Sequence, residues 1–332
     1  MHLEASRGQF VSGAQIAAAL SISRNAIWKA VRELEKSGYQ IEASPRKGYR
    51  LSDQSDILTK EGIFPLLKNE AKDVSLLFFD SLPSTNQYAK QLAVSHTVLH
   101  IPFNTIVFAE TQTAGRGRWS HQFYSPSKSG LYFSLLLSPE RFSFPNPTFV
   151  TLFAAVAVCE AIEEVCGVSP QIKWVNDLYL NGKKICGILT EAAGDFESRK
   201  LQWIICGIGL NIYPPVNGFP ESLPAAGALF PNKEKAPLDF SRSKLAAAIL
   251  NRFLLFQTGQ TGKTEKEEKD DLIARYQRRC MLSGRNVLIQ ESESASPYLA
   301  RVIEVDADGC LEVELEDHQR RHLLNGHIEL LD

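Results

Sequence analysis

Apolar positions three to four apart predict helices at 13–20, 24–37, 84–94, 146–166 and 241–256, with a shorter one near the start and a charged one over 265–279. Short β-branched and aromatic runs predict strands at 74–79, 105–109, 131–137, 171–175, 184–190 and 203–212. From residue 284 onward every signal is strand: 287–290, 298–305, 310–315, 320–323 and 327–330, with glycine turns at Gly309 and Gly326. Strands and helices alternate in the middle without a repeating βαβ rhythm. The fold class is therefore α+β, with a mixed or antiparallel central sheet.

The first 60 residues read as a unit. Ser23 can cap the helix that runs to Ser37, and Gly38 can end it. Ile27, Ala30, Val31 and Leu34 form one stripe. Asn25, Lys29, Arg32 and Lys36 form the opposite one. An alternating pair of strands follows, turning at Ser44, Pro45, Arg46, Lys47 and Gly48. Helix, turn, helix and basic hairpin make a winged helix-turn-helix. Its second helix can enter a DNA major groove, with Ser23, Arg24, Asn25, Lys29 and Arg32 on the helix and Arg46 and Lys47 at the tip.

Charge sharpens that picture. Residues 1–50 hold eight Lys/Arg against four Asp/Glu, whereas the 332-residue chain has net charge −2. Basicity is local, so the whole chain is not a polycation for nucleic acid. Apolar residues are 44% and charged residues 22%, which excludes a disordered chain or a coiled-coil rod. The longest near-apolar run, 149–159, is too short to span a bilayer, and no secretory leader precedes the first helix. The six cysteines lack CxxC spacing and read as buried hydrophobes in a reduced cytoplasm.

Two apparent phosphate motifs fail. Gly262, Lys263 and Thr264 end like a nucleotide loop, but the required first glycine is Gln257. Gly207 and Gly209 lack the third glycine of a dinucleotide fingerprint. Four segments are informative. Ser84, Thr85 and Asn86 open a helix, where free N–H groups suit a polar ring or anion, although a Ser84–Gln87 capping box explains them locally. After a strand, Gln112 leads into Gly115, Arg116, Gly117 and Arg118, an anion loop that is costly to order without its anion. Lys173 to Asp177 and Lys183 to Glu191 form two arms of a hairpin with Asn181-Gly182 at its tip, so Asn176 and Asp177 can face a lysine. Gly207, Gly209 and Asn211 sit on an apolar strand, marking a bulge or a close approach to a ligand.

Taken together, Ser84-Thr85-Asn86, Gln112 with the Gly-Arg-Gly-Arg loop, Lys173-Trp174-Val175-Asn176-Asp177, Lys184-Ile185-Cys186-Gly187 and Gly207-Ile208-Gly209-Leu210-Asn211 resemble the bifunctional biotin protein ligases that double as biotin operon repressors. The resemblance implies three domains: a winged helix-turn-helix at 1–60, a class II synthetase-like mixed-sheet ligase at 66–277 and an SH3-like β-barrel at 283–332. It implies that biotin and Mg-ATP give biotinyl-5′-AMP, whose acyl group passes to a lysine of the biotin carboxyl carrier protein of acetyl-CoA carboxylase. Biotin is then held by Ser84, Thr85, Asn86, Gln112, Arg116, Gly117, Arg118 and Lys184. The nucleotide is held by Gly115, Arg118, Asn176, Lys184 and Asn211, and Lys184, Arg116, Arg118 and Asp177 carry the chemistry. It also implies operator DNA as partner, a homodimer when adenylate-bound, no membrane and a cytoplasmic location. Fewer cations follow Arg118 than the family pattern has, and Val175 stands where a proline is common. A lipoate or octanoyl ligase and a non-catalytic sensing repressor are the rival readings.

Overall fold

The computed structural model describes residues 2–53, 55–68, 74–99, 103–119, 121–141, 146–194, 200–257 and 264–331. Gly262 and Lys263 lie outside the described residues. Helices α1 (His2–Ala5), α2 (Gly13–Leu20) and α3 (Arg24–Lys36) open the chain. Ser12 and Gln15 close a capping box on α2, and the Ser23 hydroxyl accepts the Ala26 N–H at 3.1 Å to start α3. Ile27 and Val31 are buried against Ile16, with Leu3, Val11, Ile41 and Tyr49 around them. Ala30 and Leu34 are exposed instead, so the apolar stripe is narrower than expected. The eight-residue α2 is shorter than the 13-residue α3 and cannot cover the whole face. Strands β1 (Ile41–Ser44) and β2 (Gly48–Leu51) pair antiparallel as the wing. Gly48 has φ +100°, and a Cβ there would stand 2.1 Å from the Val11 carbonyl. Only glycine fits where the wing folds back on that segment.

Beyond α4 (Lys60–Ile63) come β3 (Ser75–Leu82), α5 (Thr85–Leu99), β4 (Thr105–Gln112), β5 (Gly130–Leu137), α6 (Pro147–Cys166), β6 (Gln171–Lys173), β7 (Asp177–Leu180), β8 (Lys183–Gly194) and β9 (Leu201–Asn211). They form a seven-stranded sheet in the order β3-β4-β5-β9-β8-β7-β6. The β3–β4 pair is parallel and the other pairs are antiparallel. Alternation along β4 sends Ile106 and Phe108 to one core and Val107 and Ala109 to the other, beneath α5. Helix α6 is buried nearly all round between sheet, α7 (Arg242–Gln257) and α8 (Glu265–Gln277), which is why it reads as an unbroken apolar run. Among the described residues, no helix is long and apolar enough to cross a membrane. Burial pushes the Cys166 and Cys206 thiols up to about 12.

The last segment is a five-stranded antiparallel sheet of β10 (Asn286–Gln290), β11 (Tyr298–Val305), β12 (Leu311–Glu314), β13 (Arg320–Leu323) and β14 (His327–Leu330). The order β13-β12-β11-β10-β14 leaves β13 and β14 as edges. Val287, Ile289, Val302 and Ile328 share one core with the central sheet. The Trp174 indole N–H donates to the Gly309 carbonyl at 3.1 Å across the junction. At the opposite end, two arginines grip the chain where it leaves the wing. Arg7 donates to the Ser52 and Ser55 carbonyls. Arg242, 3% exposed, donates to the Asp56 carbonyl, both Glu110 oxygens and the Gly130 carbonyl.

Candidate functional site

The N-terminus of α5 and the ends of β4, β7, β8 and β9 surround a cavity of about 610 Å³, the size of a site for a drug-sized ligand. Ser84, Thr85, Asn86, Gln112, Gly115, Arg116, Gly117, Arg118, Asn176, Asp177 and Lys184 all line it. Segments a hundred residues apart in the chain thus meet in one place. Asn211 stands outside that lining. Its amide donates to the Gly227 carbonyl at 3.0 Å and holds the neighbouring segment. Lys183 also points away, donating to the Pro224 carbonyl at 2.8 Å, as alternation along a strand requires.

The cavity floor is buried and polar. The Thr85 N–H donates to Gln112 Oε1 at 2.9 Å, so a side chain from β4 caps α5. The expected local cap is weak, with 3.5 Å between the Gln87 N–H and the Ser84 hydroxyl. Gln112 Nε2 donates to the Ser125 hydroxyl, and Asn86 Nδ2 donates to the Leu189 carbonyl and the Glu191 carboxylate. Gly207 and Gly209 make no bulge, since the ladder of β9 runs through them in register on both sides. Both glycines line the cavity. A Cβ at 207 would lie 2.0 Å from Asn86 Oδ1, and one at 209 would lie 2.5 Å from the Phe123 ring. The vacated space holds the protein's own side chains.

Residues 121–125 pair with the glycine-arginine loop. Gln112 bridges Ser125, Arg116 bridges Gln122, and the Phe123 N–H donates to the Gly115 carbonyl at 2.9 Å. Arg116 is exposed at the rim. The Arg118 guanidinium donates to Asn176 Oδ1 at 3.2 Å, and burial lowers its pKa. Asn176 is pinned in turn by donating to the Ile188 carbonyl. The hairpin places Lys184 Nζ 2.7 Å from Asp177 Oδ2. Lys173 lies in the same lining, its pKa lowered by burial, with Asp177 raising it and Lys184 lowering it further. Four cations therefore stand near one carboxylate, a surplus suited to an anionic ligand.

Asp177 Oδ1 is buried and has no hydrogen-bond partner. Among the described residues no cluster of three His, Cys, Asp or Glu is present. That carboxylate oxygen is of the hard donor type that would hold the Mg²⁺ of Mg-ATP.

Sequence reasoning missed several lining or supporting residues. Ser134 carried a signal, as the one small polar residue in the otherwise aromatic and aliphatic run 131–137. Phe123, Ser125 and Glu191 had none beyond proximity to motifs. Gly326, His327 and Ile328 reach the cavity from the C-terminal sheet, where the His327 ring lies 6.2 Å from Trp119.

On the N-terminal module, Arg24, Asn25, Lys29, Arg46 and Lys47 are exposed. Ser23 spends its hydroxyl on the cap. Arg32 pairs with Glu35 at 3.2 Å and Lys36 with Glu33 at 2.7 Å. Exposed pairs of this kind contribute only ~0–1 kcal/mol and exchange readily for phosphate.

Residues 78–211 match the Biotin/lipoate A/B protein ligase family, and residues 1–50 match an HTH domain. The chain is 42% identical over 215 residues to a bifunctional ligase/repressor BirA of Bacillus subtilis, covering 65% of this chain and 64% of that protein's length. It is 28% identical to the Escherichia coli protein of the same name, over 73% of this chain and 71% of that protein. The biotin protein ligase of Aquifex aeolicus in complex with biotin and ATP superposes with TM-score 0.60 at 26% identity, covering 77% of this chain and 98% of that one. In its catalytic segment, its helix-turn-helix module and its fold the chain is similar to biotin protein ligases, and it spans 64% of the length of the Bacillus subtilis relative.

Proposed function

We propose that this protein activates biotin with Mg-ATP and passes the biotinyl group to one lysine of the biotin carboxyl carrier protein of acetyl-CoA carboxylase. The observation that carries this reading is the Lys184–Asp177 pair set among Arg116, Arg118 and Lys173 in one cavity. Attack of a carboxylate on a phosphate brings two anions together. The cavity meets them with fixed cations that need no reorganisation.

In the first step a biotin carboxylate oxygen bonds to the α-phosphorus and the bond to pyrophosphate breaks, leaving a mixed anhydride. Lys184 lies between the two anions, and Arg116 and Arg118 neutralise charge at the rim. Ser84, Thr85, Asn86 and Gln112 hold the biotin rings on the floor, with Gly117 letting the loop pass close above. Gly115, Arg118 and Asn176 take the nucleotide, and Asn211 braces the 225–229 segment beside it. Asp177 would hold the Mg²⁺ of Mg-ATP, which would supply further charge neutralisation. In the second step the acceptor amine attacks the biotinyl carbonyl, AMP leaves, and the amine loses a proton. This reading puts the reaction in the cytoplasm, in keeping with six cysteines that lack disulfide spacing.

The same chain is proposed to repress transcription from an operator. Ser23, Arg24, Asn25, Lys29 and Arg32 on α3, with Arg46 and Lys47 on the wing, face the DNA. One such module neutralises few phosphates, so an adenylate-bound homodimer reading two half-sites is expected.

One reaction separates the readings. Full-length protein, labelled biotin, ATP and apo carrier protein should yield labelled carrier. Labelling by octanoate or lipoate instead points to the related acyl ligases. Tight biotin binding without pyrophosphate points to a sensing repressor.

A further inference from the structure

The geometry points to a second binding site, at the seam between the winged module and α4, that takes a small organic cation: an ammonium carried on an apolar body. The site is separate from the ligase cavity and does not rest on the biotin reading, since the two share no lining residue.

A cavity of about 300 Å³ opens where α1, α3, β1 and β2 meet α4. That is the lower end of the range for small-molecule sites. Leu3, Leu34, Ile41 and Leu51 give it aliphatic walls, and Tyr39 adds an aromatic one. Two carboxylates complete the lining, Glu4 from α1 and the exposed Glu61 from α4. The Glu4 side chain is only 8% exposed, and its Oε1 is buried with no hydrogen-bond partner among the described residues. Arg7 does not supply one. Its Nε and one terminal nitrogen both go to Glu4 Oε2, at 3.2 and 2.7 Å. Its other terminal nitrogen donates to the Ser52 and Ser55 carbonyls. A buried charged oxygen without a donor is costly, so the cavity favours a ligand that brings one. Burial raises the Tyr39 pKa, and Glu4 and Glu61 raise it further, so both carboxylates are felt at the aromatic wall. No Lys or Arg lines the cavity to repel a cation. An ammonium can donate to Glu4 Oε1 while its carbon chain lies on the leucines. A neutral apolar ligand leaves that oxygen without a donor, and an anion is repelled.

The test is ligand-observed NMR on the full-length protein, with n-hexylamine as probe and n-hexanol as its neutral match. Hexylamine should bind about 10- to 100-fold tighter than hexanol, the difference a hydrogen bond to a charged group makes. Glu4→Gln removes the charge and should erase that preference. Because Glu4 also holds Arg7, a second variant leaves that pair alone. Leu34→Trp, at a position 37% exposed where a larger side chain is tolerated, fills the cavity from its rim and should abolish hexylamine binding while the thermal midpoint stays that of the parent. Saturating biotin should leave bound hexylamine in place, and saturating hexylamine should leave biotin-dependent pyrophosphate release unchanged. No binding of hexylamine, equal binding of hexylamine and hexanol, binding that survives Leu34→Trp, or displacement by biotin overturns the proposal. None of these results bears on biotin turnover, and a parent protein that turns over no biotin leaves this site standing.

Discussion

Replacing Lys184 by alanine removes the cation that the cavity holds between two reacting anions. Its ammonium lies 2.7 Å from Asp177 Oδ2, with the side chain 32% exposed. Unit charges 4 Å apart in a surrounding of effective dielectric constant 20 interact by about 4 kcal/mol. Loss of one fixed donor at a developing charge costs roughly 10²- to 10³-fold in rate. Solvent reaches Lys184 in part, so the lower end applies: about 100-fold, or about 2.7 kcal/mol of barrier. The substitution also leaves Asp177 unneutralised beside the phosphates. Asp177→Asn in the Lys184→Ala background should therefore recover part of the loss. Lys183→Ala removes only a bond to the Pro224 carbonyl and should stay within about twofold. The assay is biotin-dependent release of pyrophosphate under saturating ATP. A Lys183→Ala enzyme slower than Lys184→Ala would refute the reasoning.

Gly209→Ala pushes a methyl group to 2.5 Å from the Phe123 ring. Overpacking of this kind costs about 1–3 kcal/mol and should lower the thermal midpoint while raising biotin KM; an unchanged midpoint and KM would show that Phe123 moves aside freely. Arg242→Met strips a 3%-exposed cation from Asp56 and Glu110 and should destabilise by about 3–5 kcal/mol in denaturant titration. A loss under about 1 kcal/mol would mean that the cluster holds nothing in place. Burial, aided by Lys173 and His121, lowers the His327 pKa below 6.5. As pH falls through 6.5 the unfolded chain takes up that proton first, so stability drops on acidification until the folded pKa is passed. His327→Gln should flatten that part of the curve, read as denaturant midpoint against pH, and an identical slope would remove His327 from the account. Arg118→Gly frees Asn176 and opens the loop, so stray lysines on bystander proteins should become labelled with biotin; unchanged selectivity on a blot would argue against a retaining role.

The fold was legible where local chemistry decides it. Asp308-Gly309 turns the chain between β11 and β12 as read, and β11, β13 and β14 begin and end where the pattern puts them, although Asn325-Gly326 joins two edge strands that do not pair with each other and closes no hairpin. The hairpin of β7 and β8 followed from Asn181-Gly182, and with it the facing of Asp177 and Lys184. What stayed hidden depends on elements distant in sequence. A glycine on a strand announces a missing side chain but not the occupant of the space, and Asn86 and Phe123 arrive from other segments. The Gly115 to Arg118 loop pairs with residues 121–125, whose polar and aromatic character gives no strand period. His327 enters the cavity only because β14 docks beside Trp119, a contact that no local pattern encodes.

The central claim is that this cavity makes and keeps a biotinyl adenylate. Native mass spectrometry of the full-length protein, incubated with biotin and Mg-ATP and no acceptor, tests it most directly. The expected result is one biotinyl-5′-AMP bound per chain, released as biotinyl product when apo carrier protein is added, and absent from Lys184→Ala on the same timescale. Bound biotin and ATP that never combine, or an adenylate formed from octanoate and not from biotin, would contradict it.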